Sequence, residues 1–288
     1  MGKNKHSSNS LEARMKQYEA VSKNKLVRRV PAVIRLDGKA FHTFTRGMHK
    51  PYDDILMETM QLTLKELCEN IQGCVFGYTQ SDEITLVLTD YDNINTDAWF
   101  GYSIQKVTSI SASMTTLYFN RIFRTLVNER KFALQAWDTG GIKQEEANIK
   151  EEIEFIERVY EPKFDKALFD SRVFNLPVDE VANNLIWRQQ DATRNSIEAA
   201  GQAKFSASQL HKKSQSDIQE MLFNEHGINW NNYPTTFKRG TACYKKVEVT
   251  PGVDAKNGDS VEIIRRKWFI DTEIPIFTQD REFITNRL

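Results

Sequence analysis

Two aspartates 45 positions apart, Asp37 and Asp82, carry the chemistry to be expected of this chain. Asp37 closes the run Ala32-Val33-Ile34-Arg35-Leu36-Asp37-Gly38, which reads as a strand ending on an acid and a glycine. Asp82 lies in the polar tip Gln80-Ser81-Asp82-Glu83, between the β-rich runs Cys74–Thr79 and Ile84–Leu88, a hairpin pattern. If the two strands are sheet neighbours, the carboxylates converge at one edge, where they repel unless a cation lies between them. Oxygen-only ligation selects Mg²⁺ or Mn²⁺. Two such ions suit phosphoryl transfer: one lowers the pKa of an attacking hydroxyl, the other holds a triphosphate and its leaving pyrophosphate.

The neighbours of the two acids have readings of their own. Gly38 lets the backbone approach a metal and offer its carbonyl. Glu83 alternates to the side opposite Asp82 and is expected as a supporting group. Ser81 and Lys106 are candidate phosphate donors. His42 reads either as a half-buried ring beside Phe41 and Phe44 or as a nucleotide contact near the metals. Taken singly these residues are weak signals, since tip carboxylates are usually solvated turn residues and a single helical lysine usually lies on a surface.

The elements that must position them follow from periodicity. Leu11, Met15 and Tyr18 give Leu11–Ala20 one apolar helical face. Lys50-Pro51-Tyr52-Asp53-Asp54 supplies a turn and an N-cap for a helix over 55–70, with the stripe Ile55, Met57, Met60, Leu64 and Leu67. The hairpin follows, then a loop over 90–97, a long helix over 98–127 and a strand over 171–176. The order is β-α-β-β-α-β, so the expected fold class is α+β, a ferredoxin-like polymerase palm with a helical and β-hairpin C-terminal extension. Residues 138–163, with a Gly-Gly pair and a Glu-rich stretch, are expected as a surface insertion. Two units are expected: 1–176, a palm-like catalytic domain with an N-terminal basic arm, and 177–288, an extension that contacts RNA and packs on the palm.

In that second unit Pro177 opens a long helix. Val178, Val181, Leu185, Gln189 and Ala192 are expected to face the core. Asn184, Arg188, Asp191 and Asn195 form a polar stripe at i, i+3 and i, i+4 spacing, either a solvated face or a grip on RNA. Lys212 and Lys213 follow in a polar stretch. Two strands, 241–249 and 261–270, flank a long turn over 251–259.

Composition bounds the class. The 288 residues are 40% hydrophobic and 27% charged, with no run long enough to span a bilayer. The polar start Met1–Ser10 has no apolar core of a signal peptide, and Cys68, Cys74 and Cys243 share no metal-ligand spacing. The expectation is a cytoplasmic protein without disulfides or membrane contact. There is no G-x-x-x-x-G-K-[ST], no G-x-G-x-x-G and no nucleophile–histidine pattern. A net charge of zero conceals a balance of +9 over residues 1–50 and of −5 over 145–161. A basic arm leading into a carboxylate site points to a polyanionic substrate, and Lys23, Lys25, Arg28 and Arg29 are its candidate phosphate contacts.

In combination the motifs are specific. R-L-D-G-K-A-F-H at 35–42, K-P-Y-D-D at 50–54, Y-T-Q-S-D-E at 78–83 and W-R-Q-Q-D-A-T-R-N-S at 187–196 closely resemble the tRNA-His guanylyltransferase family, in its bacterial guanylyltransferase-like branch. The resemblance covers roughly residues 11–245. It implies a palm that adds nucleotides in the 3′-to-5′ direction to the 5′ end of a tRNA, with two Mg²⁺ ions, ATP and GTP or other nucleoside triphosphates as substrates, and a homotetramer built as a dimer of dimers. Carried over, Asp37 and Asp82 hold the ions with the Gly38 carbonyl, and Glu83 belongs to the catalytic set. Lys50, Ser81 and Lys106 meet triphosphate oxygens, and Lys39, Phe41, His42 and Asp53 lie at the nucleotide. The tRNA falls to Arg28, Arg29, Arg188, Asp191, Asn195, Lys212 and Lys213.

One departure matters. Where the eukaryotic enzymes carry H-I-N-N, this chain reads Thr193-Arg194-Asn195-Ser196, which favours template-dependent repair of 5′-truncated tRNA over tRNA-His-specific guanylate addition. A palm-fold nucleotide cyclase and a non-catalytic RNA-binding module are the competing classes. The R-Q-Q-D segment and basic arm argue against the first, and the intact aspartate pair against the second.

Overall fold

In the computed structural model, the described residues are 10–137, 143–253 and 260–288. The expected turn over 251–259 and the Gly-Gly pair of the insertion lie largely outside them. The chain runs α1 (Leu11–Ala20), β1 (Ala32–Gly38), α2 (Phe41–Phe44), α3 (Asp54–Asn70), β2 (Cys74–Gln80), β3 (Glu83–Leu88), α4 (Ile104–Trp137), α5 (Lys143–Phe155), β4 (Phe169–Asn175) and α6 (Val178–Gln202). It continues through α7 (Ala207–Leu210), α8 (Gln215–His226), α9 (Thr235–Arg239), β5 (Thr241–Val253), β6 (Ser260–Asp271) and α10 (Glu282–Thr285).

One six-stranded sheet of antiparallel pairs, in the order β4-β1-β3-β2-β5-β6, organises these elements. Its first four strands, with α3 and α4, are the expected β-α-β-β-α-β unit. The C-terminal hairpin joins the palm's own sheet: Thr241–Tyr244 pair with Phe76–Thr79, so β5 extends the edge that β2 would otherwise expose. Both faces of the sheet are covered. Ile34, Leu36, Ile84 and Leu86 pack with Met60, Leu64, Phe119 and Phe123 of α3 and α4. On the opposite face Phe76, Tyr78, Val87 and Ala242 meet Val181 and Leu185 of α6, with Ile274, Phe277 and Ile284. Burial on both sides explains why Ile84–Leu88 reads as a continuous run of β-formers rather than an alternation.

Several boundaries moved for identifiable reasons. The second long helix starts at Ile104, because Phe100, Gly101 and Tyr102 hold φ of 50°, 56° and 54° and break the run begun at Trp99. It extends to Trp137, since 128–137 contains no glycine or proline to stop it. On α6, Val181, Leu185, Gln189 and Ala192 are buried as expected, whereas Val178 is half exposed in the first turn. The acidic insertion is not simply a surface feature. α5 continues into a π-helical turn, Ile156–Tyr160, whose Ile156, Val159 and Tyr160 enter the main core. Counting its glutamates concealed that apolar face.

Candidate active site

Asp37 and Asp82 are brought together by strand pairing. Asp37 pairs with Glu83 across β1 and β3, and the Gly38 N–H donates to the Asp82 carbonyl at 3.1 Å. Asp82 occupies a two-residue turn between Gln80 and Glu83, with Ser81 at φ 50°, a left-handed position that glycine usually fills. A non-glycine residue there costs about 1 kcal/mol, a cost the surrounding sheet absorbs. Gly38 is required by packing: a Cβ would stand 2.3–2.7 Å from the Phe41 ring. With Ala40 at φ 53°, the chain turns tightly enough to drive that ring into the core.

Asp37, Gly38, Ala40, Phe41, His42, Ser81 and Asp82 line one cavity of about 480 Å³. The Asp82 carboxylate accepts from the Ser81 hydroxyl at 3.0 Å. Burial and the nearby Asp37 charge push its carboxyl above the usual carboxylate range, against the lowering effect of its own backbone and Ser81. Among the described residues, neither Asp37 nor Asp82 has a Lys or Arg within ion-pair distance. Glu83 is the contrast. Arg35 Nη2 donates to it at 2.6 Å, and Arg188 Nε lies 3.1 Å from its other oxygen, close enough for charge pairing though not aligned as a hydrogen bond. Its carboxyl is still raised, because burial outweighs the two arginines. Glu83 is therefore a neutralised buried acid, and Asp37 and Asp82 are the uncompensated pair.

That donor set fits a hard divalent cation. Among the described residues no three His, Cys, Asp or Glu side chains converge as a chelating group. The cavity lining brings two carboxylates together with Gly38. An ion held so sparsely must complete its shell with water and substrate oxygens, as Mg²⁺ does.

A second cavity of about 260 Å³ adjoins the first and shares Thr45, Leu56 and Ser81 with it. Met48, His49, Lys50, Pro51, Tyr52 and Met57 line it from one side, and Ala192, Asn195, Ser196 and Ala199 of α6 with Thr236 and Phe237 of α9 from the other. The Tyr52 and Phe237 rings lie 5.0 Å apart in this wall. Carboxylates in one chamber and apolar and aromatic walls in the next match the two ends of a metal-bound nucleoside triphosphate.

The other expected residues sort unevenly. His42 is exposed at the first cavity, 3.1 Å from the Thr43 hydroxyl, and Lys50 and Ser81 stand at the second. Lys39 and Lys106 are exposed and line neither; Lys106 lies 6.0 Å from the Phe100 ring centroid. Phe41 is buried among Phe44, Phe119 and Phe169, so it supports the floor from within the core and is not a stacking surface for a base. Asp53 borders the second cavity, but its carboxylate is occupied by the N–H groups of His49 and Leu56 and by the Tyr160 hydroxyl.

Arg188 is 3% exposed and engaged with Glu83, Asp191 and the face of Trp187, so two members of the α6 stripe expected on solvent or on RNA, Arg188 and Asp191, stand in an ion network. Arg194 closes that network on Asp191. Asn195, expected on RNA, stands in the cavity wall. Arg28 and Arg29 are committed to the loop after β3: Arg28 pairs with buried Asp90, and Arg29 donates to the carbonyls of Asn93 and Ile94. Lys212 and Lys213 are exposed just before α8 and line neither cavity.

Sequence reasoning passed over Arg35, Thr45, Gln80 and Phe237. Arg35 carried a signal, since it precedes Asp37 by two residues on the same face of a strand. Phe237 carried none, because α9 reaches the cavity only through the tertiary fold.

The likeness to known proteins follows the same lines. The tRNAHis guanylyltransferase family model matches residues 12–177, and the Thg1 C terminal domain model matches 179–268. A bacterial tRNA(His) guanylyltransferase-like protein solved in complex with ATP aligns at TM-score 0.76 and 37% identity, over 96% of this chain and 98% of that one. The same kind of protein in complex with GTP aligns at TM-score 0.70 and 35% identity over the same shares. A probable tRNA(His) guanylyltransferase of Dictyostelium discoideum is 28% identical over 234 residues, 77% of each chain.

Proposed function

The chain belongs to the tRNAHis guanylyltransferase family of nucleotidyltransferases, and from that premise we propose that it is a Mg²⁺-dependent 3′–5′ polymerase that repairs 5′-truncated tRNA on a template. The observation that carries this reading is the uncompensated Asp37/Asp82 pair opening directly beside an aromatic-walled cavity. ATP and GTP, bound by the solved relatives, are taken as substrates.

The tRNA 5′-phosphate displaces pyrophosphate from ATP, and the 3′-hydroxyl of the incoming nucleoside triphosphate then displaces AMP from the activated end. Asp37, Asp82 and the Gly38 carbonyl would hold Mg²⁺, which when bound polarises the phosphoryl oxygens and acidifies the attacking hydroxyl. Lys50 and Ser81 face the triphosphate, Tyr52 and Phe237 confine the base, and His42 borders the reacting end. The buried Glu83–Arg35–Arg188 group holds the strand ends on which both aspartates stand.

Template use rests on α6. Thr193 stands where the eukaryotic motif has histidine, and its hydroxyl is spent on the Lys238 carbonyl at 3.2 Å. A short threonine engaged in this way cannot make an imidazole's nucleotide contacts. Discrimination then falls to the opposing base, whose pairing sets the incoming 3′-hydroxyl for in-line attack. The same reading takes a dimer of dimers as the working unit. α1 buries no residue and leaves Leu11, Met15 and Tyr18 exposed, surface that such an assembly would cover.

The test uses tRNAs lacking one 5′ nucleotide, with the opposing base varied through all four identities and all four nucleotides offered. The added nucleotide is expected to follow the Watson–Crick complement, on tRNAs other than tRNA-His as well. Uniform guanylate addition, dependence on a His anticodon, or cyclic nucleotide formed without tRNA would each overturn the reading.

A further inference from the structure

The acidic segment reaches the nucleotide-side cavity from behind without lining it. α5 is tied to α4 by Arg130 with Glu152, while Lys131 of α4 grips Glu157 and Glu161 further on. From Phe155, the last residue of α5, onward, three contacts and one close approach fall on the stretch 46–53. The Phe155 ring stacks on His49 with centroids 4.4 Å apart. Val159 stands close enough to Gly47 that a Cβ added there would meet it at 3.7 Å, and the Gly47 φ of 85° disfavours most other residues. The Tyr160 hydroxyl donates to Asp53 Oδ2 at 2.7 Å, and Lys163 Nζ donates to the Arg46 carbonyl at 3.0 Å.

The receiving stretch cannot fix its own shape. Residues 45–53 form no helix or strand, yet they supply Thr45, Met48, His49, Lys50, Pro51 and Tyr52 to the cavity wall. Among the described residues, the backbone bonds within the stretch end at the Met48 N–H, which donates to the Thr45 carbonyl, and the next is the Met57 N–H of α3 donating to the Asp53 carbonyl at 3.0 Å. The next anchor is the Asp53 carboxylate, which takes the His49 N–H at 3.1 Å and, as cap of α3, the Leu56 N–H at 3.0 Å. Asp53 is 4% exposed, so water cannot readily replace a lost donor. The buried Asp53 carboxylate thus ties His49 of the wall to the first turn of α3, and Tyr160 supplies its third hydrogen bond.

We infer that Tyr160 is a positioning residue for the nucleotide, acting through Asp53 to hold the His49–Tyr52 wall in register, and that the acidic segment serves as the buttress of that wall. The inference rests on the reading of the second cavity as a nucleotide seat. Loss of the tyrosine hydroxyl leaves a buried carboxylate oxygen with one donor fewer and frees Asp53 to turn. The cost then falls on the fit of Lys50 and Tyr52 to a bound nucleotide more than on the metal-bearing strands.

The experiment compares wild type, Tyr160→Phe, Asp53→Asn and the double variant by equilibrium ATP binding and by 5′-extension kinetics, with melting temperature as the check on folding. Asn195→Trp, which fills the cavity from an exposed helical position, tests the seat itself. Tyr160→Phe is expected to raise the ATP Kd and KM about tenfold. The KM for tRNA and the maximal rate should stay within about twofold. The double variant should bind ATP no more weakly than Asp53→Asn alone, because both changes break one linkage. A lowered melting temperature with unchanged ATP binding, or fully additive losses, would overturn the positioning role while Asn195→Trp still blocks ATP. ATP binding that survives Asn195→Trp would overturn the seat, and the inference with it.

Discussion

Asp82→Asn is expected to lower nucleotide addition by on the order of 10³-fold or more while leaving a protein at least as stable as the wild type. The catalytic loss follows from removing one of only two carboxylates available to a cation. The stability gain follows from the raised carboxyl of Asp82, which binds its proton more tightly folded than unfolded. Folding therefore loses stability as pH rises from the unfolded carboxylate range through the folded value, and above that value the penalty is complete. Asparagine removes it at neutral pH. Mg²⁺ should raise the melting temperature of the wild type, by binding the folded state alone, and leave that of Asp82→Asn unchanged. The same pattern is expected of Asp37→Asn in turnover. Retained turnover in either variant, or an equal Mg²⁺ response, would be decisive against the assignment.

Arg188→Met is expected to destabilise the fold by about 3 kcal/mol, because it leaves Glu83 buried with one counter-charge instead of two and Asp191 with only the exposed Arg194. Replacing Glu83 and Arg188 together by apolar residues of similar volume should recover much of that loss, since the cost is one of uncompensated charge. Urea unfolding of the single and double variants measures both quantities. A normally stable Arg188→Met with weakened tRNA binding would instead return Arg188 to the RNA surface on which its helical spacing first placed it.

That reversal shows what the chain made legible. The strand–helix–hairpin order and both aspartates could be read directly, because β-propensity, an N-cap and a short polar tip are local signals. The helical stripe of α6 was found at the correct spacing but given to solvent or RNA. Periodicity reports that Arg188 and Asp191 share a face; it does not report that Glu83, over a hundred positions earlier, lies beneath it. Asp53 was placed at the nucleotide, yet its carboxylate is consumed by Tyr160, from a segment whose acidity suggested only surface. Arg28 and Arg29 looked like a phosphate-binding arm because nothing local shows that the loop over 90–97 folds back on them to supply Asp90 and the carbonyls of 93–96. In each case the charge was visible, and the long-range partner that engages it was not.

The central claim is that Asp37 and Asp82 form a divalent-cation site completed by a nucleotide. It is tested most directly by titrating Mn²⁺ into the protein at saturating ATP and counting bound ions by electron paramagnetic resonance. The wild type is predicted to bind ions beyond those held by free ATP, and Asp37→Asn and Asp82→Asn to lose them while still folding cooperatively. Identical binding isotherms for wild type and both variants would contradict the account.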